Sequence, residues 1–358
     1  MPPACLTLLV SELLWPDPDD REALDLLVCP ALAALLARGR FSKRRPQALE
    51  TVLLEAFGHA AEASRGALRL LGESAVPADA ATARWIAADP VHLRLEQRHL
   101  ILAGGDTLDI APDEAAALID ALNRYFTDLG VFHAASAERW YLRLAGKNPL
   151  QDIDAPPLSA VAGRGVGRVL EEITENREIL KILNEIQTFL HAHPVNRRRA
   201  DKGLASINSL WLWGAGIWPT APVTPPFDSV WSKEPLTRGL ACAARIPASP
   251  VPDDAGALLA AAPGARALAV LDELTTTVHY ANGTDYRQAL AALETHWFAP
   301  AWRALTSGAI KRLRLVATTA YGTLRWDAGR ADSWRFWRSP RTLMETVQTL
   351  AASTGDTA

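Results

Sequence analysis

No charge excess, no cysteine framework and no long unbroken apolar run mark this 358-residue chain. A formal net charge of -3 and a pI near 6.3 provide no field to draw the whole surface onto nucleic acid or an anionic membrane. The three cysteines, Cys5, Cys29 and Cys242, are odd in number and far apart. Neither a zinc-binding spacing nor a redox pair is present, so a reduced, cytoplasmic setting is the expectation. The first ten residues are apolar but lack a basic leader, and Glu12, Pro16 and Asp17 interrupt them. Neither an export signal nor a membrane span is expected there. The alanine-rich stretch 257–262 is broken in the same way by Pro263, Gly264 and Arg266, and no internal repeat is found.

What is present is apolar residues at 49% against 22% charged, enough for a large core in a main domain carrying a smaller one. Cys5 to Val10 reads as a buried strand running into a loop at Ser11-Glu12. Cys29-Pro30 then opens a helix with Leu32, Leu35 and Leu36 on one stripe and Gly39 at its end. From about Ala78 the pattern changes to short strands at 85–88, 91–95, 99–102 and 108–110, with a turn at Gly104-Gly105. A helix from Pro112 to about Leu129 follows, with Gly130 just beyond it, and then a strand at Trp140 to Leu144. Strands clustered with a helix on one face describe an α+β unit. Residues 78–160 are therefore read as an inserted domain in an α/β core of 1–77 and 161–345, with a tail at 346–358.

The most periodic segment runs from Asn176 to His191, with Ile179, Leu180, Ile182, Leu183, Ile186 and Leu190 facing inward. A strand over Asn208 to Trp213 and the glycines Gly214 and Gly216 come next. Pro219, Pro222, Pro225 and Pro226 mark a surface loop. Further core strands are expected at Ala267 to Leu271 and Leu313 to Val316, separated by a helix through Leu290 and Leu293. In an open α/β sheet, ligands lie beyond the carboxyl ends of strands, where glycines let backbone N–H groups approach an anion. Arginine adds a bidentate grip. Asn196, Arg199, Asn208, Trp213, Gly214 and Gly216 are the binding candidates on this reasoning, with a tight turn and solvated arginines as the alternative. Asp272 joins them because it follows a predicted core strand.

As a block, His193-Pro-Val-Asn196, Arg199, Gly203, Asn208 and Trp211 to Gly216 resemble the archaeal-type cofactor-independent phosphoglycerate mutases. Asp89 to Leu93, Leu183 to Gln187, Leu271 to Thr275 and Val278 to Tyr280 extend the likeness over nearly the whole chain. They resemble a bacterial phosphoglycerate mutase-like group, also described as the E protein of a "regulation of pathogenicity factors" cluster. The resemblance implies an alkaline phosphatase-like, doubly wound α/β sheet with a smaller α+β insertion. It also implies a serine nucleophile and two metal ions, manganese or zinc in an active member.

The chain departs from that pattern at the reacting positions. Active members have Asp-Gly after the first strand, where this chain has Ser11-Glu12. Their late Asp-His pair is replaced by Ala317-Thr318-Thr319-Ala320. Asp89 with His92, His191 with His193, and Asp272 with His279 are each read as structural before metal-binding. Trp326, Trp334 and Trp337 alternate with Arg325, Arg335 and Arg338, a pattern read as the edge of a core in preference to a base-stacking surface. The expectation is a mutase-like protein altered at its metal and nucleophile site. It would bind a small phosphorylated or anionic metabolite in a regulatory role, with a protein partner allowed and neither nucleic acid nor membrane involved. The alternative is an active mutase with a substituted ligand set.

Overall fold

A computed structural model describes residues 5–25, 27–60, 63–218, 224–335 and 337–355. Among them, twelve strands follow in chain order: β1 (Cys5–Ser11), β2 (Arg40–Arg44), β3 (Arg84–Glu96), β4 (His99–Gly104), β5 (Gly130–Ala134), β6 (Trp140–Leu144), β7 (Ser209–Ile217), β8 (Ser229–Trp231), β9 (Ala248–Ser249), β10 (Arg266–Leu271), β11 (Arg312–Thr319) and β12 (Gly322–Gly329). The chain divides into two compact units, Met1–Gly58 with Val223–Ala358, and His59–Pro222. Each has its own sheet, and the fold is mixed α/β. The Pro219 and Pro222 part of the proline-rich loop lies outside the described residues.

In the first unit the sheet order is β2-β12-β11-β1-β10-β8-β9. The strands from β11 through β1, β10 and β8 to β9 run parallel, whereas β12 and β2 close one edge antiparallel. β1 sits in the middle with Leu6, Leu8, Leu9 and Val10 fully buried. Its near-continuous apolar run is what a parallel strand covered on both faces requires. The helix Pro30–Arg38 carries proline in its first turn and Cys29 as a cap without a capping hydrogen bond. The cap comes from far away in sequence: the Glu294 carboxylate accepts from the backbone N–H of Ala31 at 2.7 Å and of Leu32 at 3.1 Å. This satisfies two of the donors left over at a helix start. The residues expected as a C-terminal tail instead form the greater part of a helix, Leu343–Gly355, whose Leu343, Val347 and Leu350 enter the core.

The second unit is entirely antiparallel, with order β4-β3-β6-β5 and β7 paired to β3. It is longer at both ends than the expected 78–160. The reason is pairing and packing: β7 runs along β3 from Arg84↔Ile217 to Val91↔Ser209, and Leu183, Ile186 and Leu190 of the helix Arg177–Ala192 share a core with Trp85 and Trp140. The two strands expected around Asp89-Pro90 are one, β3, with Asp89 fully buried inside it. No strand forms at 108–110, where Leu108 and Ile110 fill the core after a 3-10 turn at Gly105–Thr107. Gly130 opens a strand that periodicity did not suggest, and Leu180 is 39% exposed where the helical stripe placed it inside.

Gly214 and Gly216 stand within β7 and not in a turn beyond it. The helix Arg65–Leu71 lies against them. A Cβ on Gly216 would meet the Ser64 side chain at 2.6 Å, and one on Gly66 would meet the Gly214 carbonyl oxygen at 2.8 Å. Gly214 also adopts φ +68°, a conformation costly for other residues. These glycines serve close approach of a helix to a strand, which accounts for their presence without an anion.

Candidate functional site

The carboxyl ends of the parallel strands β1, β10 and β11 form a rim, the place where open α/β sheets bind ligands. Register brings Ser11 beside Thr318 and Val10 beside Leu271, one residue before Asp272. The Thr318 hydroxyl donates to Ser11 Oγ at 3.4 Å and accepts from the Glu12 N–H at 3.4 Å. Glu12 takes φ +53°, a left-handed conformation that disfavours a side chain by about 1–2 kcal/mol. It stands where the resemblance has a glycine, so the backbone keeps the glycine shape although the residue has changed. Opposite it, His279 Nε2 lies 3.7 Å from Glu12 Oε1, with side-chain exposures of 4% and 12%. Burial pushes the Asp272 and Glu273 carboxyls above their usual range, and Lys233 opposes this.

The two-metal chemistry that the resemblance implies can be tested on these donors. The rim offers Glu12, Asp272, Glu273 and His279, with hydroxyls at Ser11 and Thr318. Among the described residues, no three His, Cys, Asp or Glu side chains converge as a metal-binding group. The donor set does not fit a pair of ions held 3.5–4 Å apart, a spacing of about that size being usual for such clamps. The other suggested pairs have internal partners. His92 Nδ1 bonds the Ser206 carbonyl at 2.8 Å, and His193 Nδ1 accepts from the Val195 N–H at 3.2 Å, capping the helix Pro194–Asp201.

The remaining candidates fall in the second unit, whereas Asp272 belongs to the first. Their polar atoms hold backbone in place. Asn196 donates to the Leu190 and Ile207 carbonyls at 2.7 and 2.8 Å and accepts from the Ile207 N–H at 2.8 Å. Asn208 brackets Leu93, accepting from its N–H and donating to its carbonyl, both at 2.8 Å. Arg199 is fully buried and donates to the Ala205 carbonyl at 2.8 Å, the Asp109 carbonyl at 3.3 Å, the Leu108 carbonyl and the Glu114 carboxylate. The grip on an anion suggested by the sequence is here a grip on the protein's own loops. Trp213 Nε1 donates to Asp89 at 2.8 Å.

Asp89 is also the hub of a buried network that sequence reasoning missed. Arg69 Nη1 lies 2.9 Å from both Asp89 oxygens, and its guanidinium sits 5.4 Å from the ring centres of Tyr141 and Trp213. Tyr141 donates to Glu73 at 2.8 Å, and Arg139 clasps Glu73 through Nε at 2.7 Å and Nη2 at 3.0 Å. Burial drives the Tyr141 hydroxyl well above its usual range. Arg69 and Glu73, four residues apart at and just past the end of one helix, were the available signal. Of the alternating tryptophans, Trp326 is buried against Phe41 at 5.1 Å, whereas Trp334 and Trp337 are exposed. No described helix is long and apolar enough to cross a membrane.

The class is thus a mixed α/β protein with two sheets. A structure from Pyrococcus horikoshii shares this fold, with a TM-score of 0.55 over 99% of this chain and 97% of that one at 14% identity. By sequence, the chain is a distant homologue of 2,3-bisphosphoglycerate-independent phosphoglycerate mutases. It is 25% identical to that of Methanosarcina mazei over 152 residues, 42% of this chain and 38% of that protein. It is 30% identical over 108 residues to one from Methanothermobacter thermautotrophicus, 30% of this chain and 27% of that protein. The matched region therefore spans well under half the length of either relative. No family model matches the chain.

Proposed function

We propose that this chain is a phosphoglycerate mutase-like protein of the bacterial regulation-of-pathogenicity-factors E type, on an alkaline phosphatase-like scaffold, acting by binding a small phosphorylated metabolite without phosphoryl transfer. The observation that carries this reading is the rim itself. Ser11 and Thr318, a hydroxyl pair at 3.4 Å, occupy the strand ends where the family resemblance places metal-binding carboxylate and imidazole. Glu12, Asp272 and Glu273 stand at that rim in a donor set that does not fit a pair of ions, and such a pair would stabilise the charge of a phosphoryl group in transfer. A regulatory role follows from the same reading, since a protein that binds without turnover acts through its bound and free states, and the free, scattered cysteines support a cytoplasmic setting.

The test combines elemental analysis with a phosphoglycerate mutase assay supplemented with manganese or zinc, on one preparation. The expected result is no stoichiometric metal and no turnover above buffer, together with saturable binding of phosphoglycerate. Stoichiometric metal with turnover would overturn the reading and restore an active mutase, with Glu12, Asp272 and His279 as the first ligands to substitute.

A further inference from the structure

Strands present alternate residues to opposite faces of a sheet. On β1, one face carries Leu6, Leu8 and Val10 into the core of the first unit. The other face carries Thr7, and the register aligns a polar set with it across three neighbouring strands. Arg314 on β11 lies beside Thr7, Arg325 on β12 lies beside Ser42 on β2, and Thr323 lies beside Arg44. These six side chains line a cavity of about 300 Å³ beside the helix Leu49–Ala56. Cavities from about that size upward hold small-molecule ligands.

The cavity's charge is arranged and not merely present. Arg314 and Arg325 both donate through Nε to Asp327, at 2.8 and 2.5 Å, and Arg44 donates through Nη1 to Glu55 at 2.9 Å. Burial raises the Asp327 carboxyl, but the two arginine hydrogen bonds more than reverse this and hold it below its usual range. Two carboxylates thus orient three guanidinium groups and leave one positive charge unbalanced. Thr323 is 8% exposed, and its hydroxyl has no hydrogen-bond partner among the described residues. A buried hydroxyl without a partner is costly unless a ligand supplies one.

We infer that this cavity binds the phosphate group of a small metabolite, held by Arg44, Arg314 and Arg325 with the Thr323 hydroxyl completing its coordination. Guanidinium forks match phosphate oxygens two at a time, and the one unbalanced positive charge gives an anion a net attraction there. The site shares a sheet face with the rim and adjoins it at Thr323, which pairs with Thr318. Its far end is distinct, since Thr7 and Arg314 precede Ser11 and Thr318 by four residues on paired strands, roughly 13 Å at about 3.3 Å per residue. The inference rests on the metabolite-binding reading only for its ligand class, since it places the anion on cations where the rim offers mainly carboxylates.

The experiment is arginine modification of the full chain by phenylglyoxal, mapped by mass spectrometry with and without inorganic phosphate, and calorimetric titration with inorganic phosphate and with phosphoglycerate. Saturating phosphate is expected to slow labelling of Arg314 and Arg325 at least about fivefold while leaving exposed Arg168 unchanged. Replacing a charged hydrogen-bond partner by Arg325→Gln is expected to weaken phosphate binding about tenfold or more, and Thr323→Val about threefold, with unchanged thermal unfolding. Tighter binding of phosphoglycerate identifies a metabolite, and equal binding identifies free phosphate, each through this site. Unprotected Arg314 and Arg325, or phosphate affinity unmoved in a folded Arg325→Gln variant, would overturn the assignment. Mutase turnover would refute only the non-catalytic reading, so the two failures are distinguishable.

Discussion

Asp89→Asn isolates what the buried network of the second unit contributes. Asp89 is fully buried, accepts both hydrogen bonds from Arg69 at 2.9 Å and the Trp213 indole at 2.8 Å, and Arg69 itself is 8% exposed. Asparagine keeps the volume but turns one acceptor oxygen into a donor, so the loss is one of charge and of one accepted hydrogen bond. Burial pulls Arg69 toward neutrality and Asp89 more than restores its proton, which keeps the guanidinium charged. Without Asp89 that cation faces two aromatic rings and the more distant Glu73. Removing one partner of a buried pair costs about 3–5 kcal/mol, because the other charge is left uncompensated. For a unit of this size that corresponds to a fall in melting temperature of roughly 6–20 °C. Urea unfolding followed by tryptophan fluorescence reads it directly, since Trp85, Trp140 and Trp213 all lie in this core. The double variant Arg69→Met, Asp89→Leu should recover most of the loss, because it removes both charges together. A cost for Asp89→Asn below about 1 kcal/mol, the scale of exposed ion pairs, would refute the account of this network as a coupled unit.

Two further predictions concern local packing and titration. Gly216→Ala forces a Cβ to within 2.6 Å of Ser64 and is expected to destabilise the second unit by about 1–3 kcal/mol through overpacking; equilibrium denaturation checks it, and an unchanged midpoint would show that the glycine serves something other than close approach. Burial raises Glu234 to about 7, against the opposing hydrogen bonds from Leu236 and Thr237 and with help from Glu50. The folded state therefore binds this proton more tightly than the unfolded chain, whose carboxyl titrates near the usual 4.5. The contribution is fully present below that value and is lost as pH rises through about 7. Glu234→Gln should flatten the decline in stability between those two pH values, and an unaltered slope in pH-dependent melting would count against the shift.

Much of the architecture was legible in local pattern. The apolar run of β1, the proline-led helix at Pro30, the periodic helix after Asn176 and the strands before Asp272 and at Leu313 all form where the sequence places them, because burial on both faces or along one stripe leaves a direct trace in residue order. The departures from the reacting motif at Ser11-Glu12 and Thr318-Thr319 were equally plain. The glycine pair at 214 and 216 and the polar residues Asn196, Arg199 and Asn208 read two ways in sequence for a physical reason. A glycine that admits a ligand and one that admits a helix look alike in sequence, and an arginine that binds phosphate looks like one that binds backbone carbonyls.

By itself, the sequence determined β1, the helices after Cys29 and Asn176 and the strands before Asp272 and at Leu313, and the residues at the first strand's end that depart from the mutase pattern. Only tertiary structure decided that β7 pairs with β3 and so enlarges the second unit, that Glu294 caps a helix more than 260 residues away, and that Arg44, Arg314 and Arg325 share one face of a sheet. Those outcomes depend on strand order and register. Contacts between residues hundreds of positions apart follow from which strands become neighbours, and local periodicity carries no record of that choice.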